Sequence, residues 1–372
     1  MTARLNRRDA LLGLAVLPML NGSALAATTK PIRLTLLGQA LLEHDLRTQV
    51  WPDRDKVAAL VGRGDVAFTN LETVIKGDSV GAPTRELLTL HAGGPEVIYC
   101  LKSLNVNLVA TANNHAFDLG PEGILSTLAA LDAAGLPHAG TGKDLASASA
   151  AAFQTTRSGA RVAVIGFATG KVRDGGAASP TRPGVNEVRE VSDGVLNTED
   201  TARVFASIRA AAASADLVIA YHHNHLWGAD SAVTYPWQQA LAKACVDAGA
   251  AVYMAHGAPM MHGLEFYKDA PMFYGLGNFI FQTETKPGTY SQRSWDGLVV
   301  DCRFGGGKRP IIELTPLSLN ETGLGGVEDF ETRGRPSLAT AAAATRILSD
   351  VASRSKAFGA TVSIVNGVGR VA

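Results

Sequence analysis

Apolar runs of five to seven residues alternate with segments of helical period through the first two-thirds of the chain. The runs at 33–37, 65–70, 107–112, 161–167, 217–221 and 251–255 predict strands, most of them followed by Gly, Asn or His. Helices are predicted over 56–61, 95–104, 121–134, 202–213 and 235–248. Pro121 stands in the first turn of the third helix and Gly135 just past its end, the usual asymmetry of helix termini. Alternation of this kind implies a largely parallel sheet. From about residue 263 the pattern changes to successive short strands at 264–267, 272–274, 297–303 and 310–317, then a helix over 338–353 and a last strand at 362–365. Residues 170–198 are rich in Gly, Pro, Asp and Arg and read as a surface loop.

The first 26 residues stand outside this pattern. Arg4, Arg7 and Arg8 precede an apolar run over 10–20, and Ala24-Leu25-Ala26 offers a cleavage site before Ala27. The adjacent Arg7-Arg8 pair favours twin-arginine export over an ordinary secretory signal. The expected mature protein is therefore periplasmic or otherwise extracytoplasmic, with no membrane-spanning segment after cleavage. Residues 27–372 read as one domain with two sheets. Cys100, Cys245 and Cys302 lie in apolar stretches and show no paired spacing, which argues against a disulfide framework. Hydrophobic residues make up 46% of the chain, enough for a sizeable core. Lys+Arg and Asp+Glu are 34 each, and the neutral balance argues against a nucleic-acid partner.

Composition does not say what the protein does; the strand ends do. In parallel α/β sheets, ligands gather at the carboxyl ends of strands. Gln39 follows the first predicted strand, Asn70 and Glu72 the second, and Asn114 and His115 the third. His222, His223 and His225 follow the 217–221 strand, and His256 follows 251–255. A single His at a strand end is more often structural. Five strand ends delivering Gln, Asn, Glu and His to one edge point to a metal site of the Zn, Mn or Fe kind.

The same residues carry a family resemblance. Asn70-Leu71-Glu72 resembles the "NLE" block of CapA-type proteins, the poly-γ-glutamate capsule synthesis family. Ala112-Asn113-Asn114-His115, with Asp118 and Gly120, is similar to that family's "ANNHxxDxG" signature. His256-Gly257, Gly263-Leu264-Glu265 and the Tyr274 to Phe279 block through Asn278 resemble its "GHxPH…GIExY…YSLGNF" tail. The resemblance covers roughly residues 32–305. It implies the calcineurin-like metallophosphatase superfamily: a four-layer α/β/β/α sandwich with two mixed sheets and a site for one or two divalent metal ions.

Carried over residue by residue, the resemblance makes Glu72 the bridging carboxylate and Asn114 and His256 metal ligands. His115, with Asp118, stands in the general-acid position. One of His222, His223 and His225 matches the histidine of the family's "HWG" block; His225 is favoured because Trp227-Gly228 follows closely, with His223 nearly as good. Two departures stand out. The family's "GD" aspartate is Gln39 here, a poorer ligand, and the second histidine of "GHxPH" falls on Pro259, which cannot ligate. Either the site is rebuilt with His44, Asp45 or extra histidines from 222–225, or it holds one metal, or it is degenerate; His262 lies three residues beyond Pro259. Two functions follow. One is a metal-dependent hydrolase acting on a phosphoester or an amide bond of an envelope polymer; the other is a non-catalytic polymer-binding accessory protein. No GxSxG elbow, P-loop or dinucleotide fingerprint occurs.

Overall fold

The computed structural model of the protein describes residues 30–305 and 309–372. The expected export signal lies outside the described residues. Two mixed sheets face each other. The larger has nine strands, eight in one path and a ninth, Pro336–Leu338, that pairs antiparallel with Ile311–Leu319. Its parallel half runs Ile32–Leu37, Val66–Asn70, Leu108–Ala110, His138–Ala139, and its antiparallel half continues from Ile32–Leu37 through Asp296–Phe304 and Ile311–Leu319 to the hairpin of Val368–Val371 and Val362–Val365. The second has six strands: Leu264–Tyr267, Ala270–Phe273, Val252–His256, Leu217–Asn224, Arg161–Thr169 and Ala152–Thr155. Its four central strands are parallel and both edge strands antiparallel.

Side-chain alternation along the strands builds the layers. Leu34, Leu36, Phe68 and Leu108 of the first sheet meet Val162, Val164, Ile219, Tyr221 and Met254 of the second in one buried cluster. The residues of opposite parity face outward. Leu37, Ala67 and Val109 pack under the helices Arg54–Val61, Glu96–Ser103 and Gly120–Ala133 through Val57, Leu101 and Leu131. Ala163, Ile165, Val218 and Tyr253 pack under Thr198–Ala212 and Pro236–Asp247 through Val204, Ile208, Leu241 and Cys245. This is the helix–sheet–sheet–helix order that the family resemblance implies. The helix Ala341–Lys356 instead sends Ile347, Leu348 and Val351 into the core between the sheets. Each fully buried aliphatic side chain there contributes about 1.5–3 kcal/mol.

The strand expected at 217–221 runs on to Asn224, so His222 and His223 lie inside it rather than after it. The last strand is half of a hairpin whose partner, Val368–Val371, the hydrophobic pattern does not announce. The stretch expected as loop holds three short strand pieces, Gly184–Val185, Glu190–Ser192 and Val195–Leu196. Cys100, Cys245 and Cys302 are buried free thiols. No helix among the described residues is long and apolar enough to cross a membrane.

Candidate metal centre

The carboxyl ends of the parallel strands in both sheets meet at one edge. Parity decides which histidines arrive there. His223 continues the inward row of Ile219 and Tyr221, and His256 that of Met254; the two are register partners on adjacent parallel strands. His222 has the opposite parity. Its Nδ1 is 2.7 Å from the Tyr253 hydroxyl and its Nε2 2.8 Å from Thr169 Oγ1, on the face covered by Trp237. The structure does not bring His222 to the inward group.

Four residues converge. Ligand atoms of Glu72, His223 and His225 all lie within 4.8 Å of one another. His223 Nε2 is 2.8 Å from Asn114 Oδ1 and 3.5 Å from Glu72 Oε1. Glu72 Oε2 and both ring nitrogens of His225 are buried without a hydrogen bond, and neither ring nitrogen of His256 makes one of ordinary geometry. Buried polar atoms in native structures are normally paired. Burial pushes the Glu72 carboxyl up to about 8 and holds His223 and His225 well below the usual imidazole range. At neutral pH the protein alone thus favours a neutral acid among neutral imidazoles. Oxygen and imidazole donors, several of them unsatisfied, fit a divalent cation of the Zn, Mn or Fe class. Both His223 and His225 belong to this group, their rings stacked with centroids 5.0 Å apart.

Beside it lies a second network. His115 Nδ1 is 2.9 Å from Asp118 Oδ2, which also accepts from the His91 backbone N–H at 3.0 Å. Arg85 Nε stands 2.5 Å from the other oxygen, Asp118 Oδ1. The His115 backbone N–H donates to Asn113 Oδ1 at 3.0 Å, which fixes the turn carrying the ring. Burial pushes Asp118 up to about 6 against the pull of Arg85. Burial, helped by the charges of His91 and Arg85, holds His115 well below its ordinary value. Among the described residues His115 Nε2 has no hydrogen-bond partner.

The remaining expected residues divide. Gln39 is buried at the edge, but its Oε1 accepts from the Gly257 N–H at 3.2 Å. Asn70 Oδ1 accepts from Asn113 Nδ2 at 3.1 Å, a brace for the loop that carries Asn114. Asn278 Nδ2 donates to the Ser294 carbonyl at 2.7 Å. Asp45 pairs with Arg47 at 2.8 Å, and Glu265 with Lys243 at 2.8 Å and with the Tyr274 hydroxyl at 2.7 Å. His44 falls in a separate group with Glu43 and Glu284. His262 shares a small pocket with His256, Trp227 and Tyr274. The structure therefore supplies neither His44 nor Asp45 as a replacement for the missing aspartate.

Sequence reasoning missed three residues. A cavity of about 300 Å³ opens next to Asn114, lined by Thr84, Arg85, Lys171, Arg173 and Asp174. Lys171 and Arg173 begin the loop after Arg161–Thr169, another parallel strand's carboxyl end. That position was the available signal. No motif marks Arg85.

The two-sheet fold and its clustered oxygen and imidazole donors define a metallophosphatase-like α/β protein. Residues 33–283 match the family described as bacterial capsule synthesis protein PGA_cap. The chain belongs to this family, that of the CapA proteins. It is 27% identical to the uncharacterized protein y4sH of Sinorhizobium fredii over 95% of each chain. A probable polyglutamine synthesis accessory protein of Mycobacterium tuberculosis is 30% identical, over 66% of this chain and 63% of its own. The capsule biosynthesis protein CapA of Bacillus anthracis is 30% identical over 61% of this chain and 51% of its own.

Proposed function

We propose that this chain is an exported metal-dependent hydrolase, acting in the synthesis or processing of a poly-γ-glutamate-like envelope polymer. The observation that carries the reading is the convergence of Glu72, His223 and His225 within 4.8 Å, beside Asn114 and the His115–Asp118 pair. Glu72, Asn114, His223, His225 and His256 are the residues that would hold the ion. When bound, the ion supplies Lewis-acid charge at this edge. Asp118, anchored by Arg85 and the His91 N–H, fixes the ring of His115 through Nδ1. With the imidazole neutral and its Nδ1–H on Asp118, Nε2 carries the lone pair left to accept a proton at this edge. Residues 27–372 act as the mature domain, and the Arg7-Arg8 leader directs export.

One observation favours the accessory, non-catalytic reading. Gln39 stands where the family places a carboxylate, and its oxygen is engaged by the Gly257 N–H. Metal content of the purified protein, paired with turnover of a generic phosphodiester and of a γ-glutamyl oligomer, separates the two. The hydrolase reading expects close to one ion per chain and metal-dependent turnover. Metal well below one ion per chain after supplementation overturns it; metal without turnover leaves the accessory reading standing.

A further inference from the structure

The cavity beside Asn114 is lined by three cationic side chains and one carboxylate, Asp174. Two of the cations are held in place by the backbone. Arg85, its Nε on Asp118, donates through a terminal nitrogen to the Asn114 carbonyl. Arg173 reaches the Thr84 carbonyl through Nε, at 3.1 Å, and through a terminal nitrogen. Thr84 is itself strapped to the Asp118 turn: its N–H donates to the Asp118 carbonyl at 2.9 Å and its hydroxyl to the Phe117 carbonyl at 2.8 Å. The guanidinium groups are therefore fixed relative to His115 and Asn114. Lys171 Nζ makes no hydrogen bond or ion pair among the described residues and stands 5.3 Å from the centre of the Trp227 ring.

Buried Asp118 pairs with Arg85, so the one carboxylate of the lining, Asp174, faces both Lys171 and Arg173, and the wall keeps an unbalanced positive charge. Such a site gains when an anion enters. Planar guanidinium groups match the paired oxygens of carboxylate and phosphoryl groups. The volume is at the low end for ligand sites, suited to one anionic unit of a chain rather than a long segment.

We propose that Arg85, Lys171 and Arg173 form an anion subsite that holds a carboxylate or phosphoryl oxygen of the substrate next to Asn114. Its place in catalysis rests on the reading of the Glu72–His223–His225 group as the reaction site; anion binding itself does not.

The test titrates the full chain, zinc-loaded and chelator-treated, by calorimetry at low salt. The probes are inorganic phosphate and, separately, tri-γ-glutamate. At least one should bind in both metal states. Lys171→Gln and Arg173→Gln should each weaken binding about tenfold, the loss of one charge-assisted contact, and the double variant more. Binding by phosphate alone assigns a phosphoryl substrate, and by tri-γ-glutamate alone a carboxylate. Neither probe binding, or an unchanged Kd in the double variant, overturns the subsite. Binding abolished by chelation also overturns it, because the metal then holds the anion. Binding that persists in protein unable to take up metal upholds the subsite while the hydrolase reading fails. Should the variants not fold, modification of wild-type Arg173 by phenylglyoxal decides. The bound probe should protect Arg173, and modification at an unchanged rate counts against the subsite.

Discussion

His223 lies in a strand of the smaller sheet and Asn114 in the loop that follows a strand of the larger, and His223 Nε2 is 2.8 Å from Asn114 Oδ1. The bond ties the loop after Leu108–Ala110 to the strand Leu217–Asn224 at the edge where the donors collect. With Nε2 protonated, His223 donates to Asn114, and Nδ1 accepts from the Tyr221 hydroxyl at 3.2 Å. A metal on Nε2 requires the other tautomer, with Nδ1–H donating to the same hydroxyl. Tyr221 serves both, because its hydroxyl donates or accepts, and burial pushes its pKa well above the ordinary value.

Tyr221 should therefore tune metal affinity without touching the ion. Tyr221→Phe is expected to weaken binding about 10–100-fold, as loss of an outer partner of a ligating histidine does. His223→Ala and Glu72→Ala, which remove direct bonds, should cost more. Competition with a chromogenic chelator gives the ranking. Equal losses in Tyr221→Phe and His223→Ala would place His223 outside the coordination.

His222 should behave in the opposite way to its neighbour. His222→Ala leaves the Tyr253 and Thr169 hydroxyls without their partner in the outer layer. Each stranded buried group costs about 1–3 kcal/mol. Urea denaturation should show that loss, while metal occupancy stays at the wild-type level. Reduced occupancy in a folded His222→Ala protein would contradict the parity argument.

The contrast between these two histidines marks how far the sequence was legible. Glu72, Asn114, His115 and His256 follow apolar runs closely enough that strand ends alone bring them to one edge. His222 and His223 were not separable, because the strand was expected to stop at Tyr221. Once it runs to Asn224, alternation sends one ring to each face. Arg85 was illegible for a different reason, and Arg173 had only its place after the strand Arg161–Thr169 to mark it. Their positions depend on bonds to the Asn114 and Thr84 carbonyls, contacts across the fold that leave no local period. The Gln39 departure was visible, but its engagement with Gly257 was not.

Gly257 carries a constraint that a packing count would miss. Its φ is +126°, and an added Cβ would stand 1.8 Å from the Asn224 carbonyl oxygen. Two strand ends bearing His256 and Asn224 approach so closely only because that position lacks a side chain. Gly257→Ala should cost more than about 3 kcal/mol, combining backbone strain with a clash against backbone. Gly359 is the control: φ is +80° with nothing within 4 Å of an added Cβ. Gly359→Ala should lose only about 1–2 kcal/mol for the left-handed backbone. Equal losses in urea titrations of the two variants would refute the close-approach argument.

Acid sensitivity should follow from the buried histidines. Burial lowers His222 to about 3 and His262 to about 4, against an unfolded value near 6.5. Below pH 6.5 the unfolded chain takes up protons at these sites and the native protein does not. Stability from this source is therefore fully present above pH 6.5. It declines as pH falls toward the folded values, by up to about 1.4 kcal/mol per pH unit for each histidine. His222→Phe removes one such group. In chelator-treated protein the variant should be less stable than wild type at pH 8, for want of the two hydrogen bonds. At pH 5 the gap should narrow by about 2 kcal/mol, because the wild type alone bears the cost of keeping His222 neutral. Urea titrations at the two pH values measure the gap directly, and a gap independent of pH would mean that His222 titrates in the native protein much as it does in the unfolded chain.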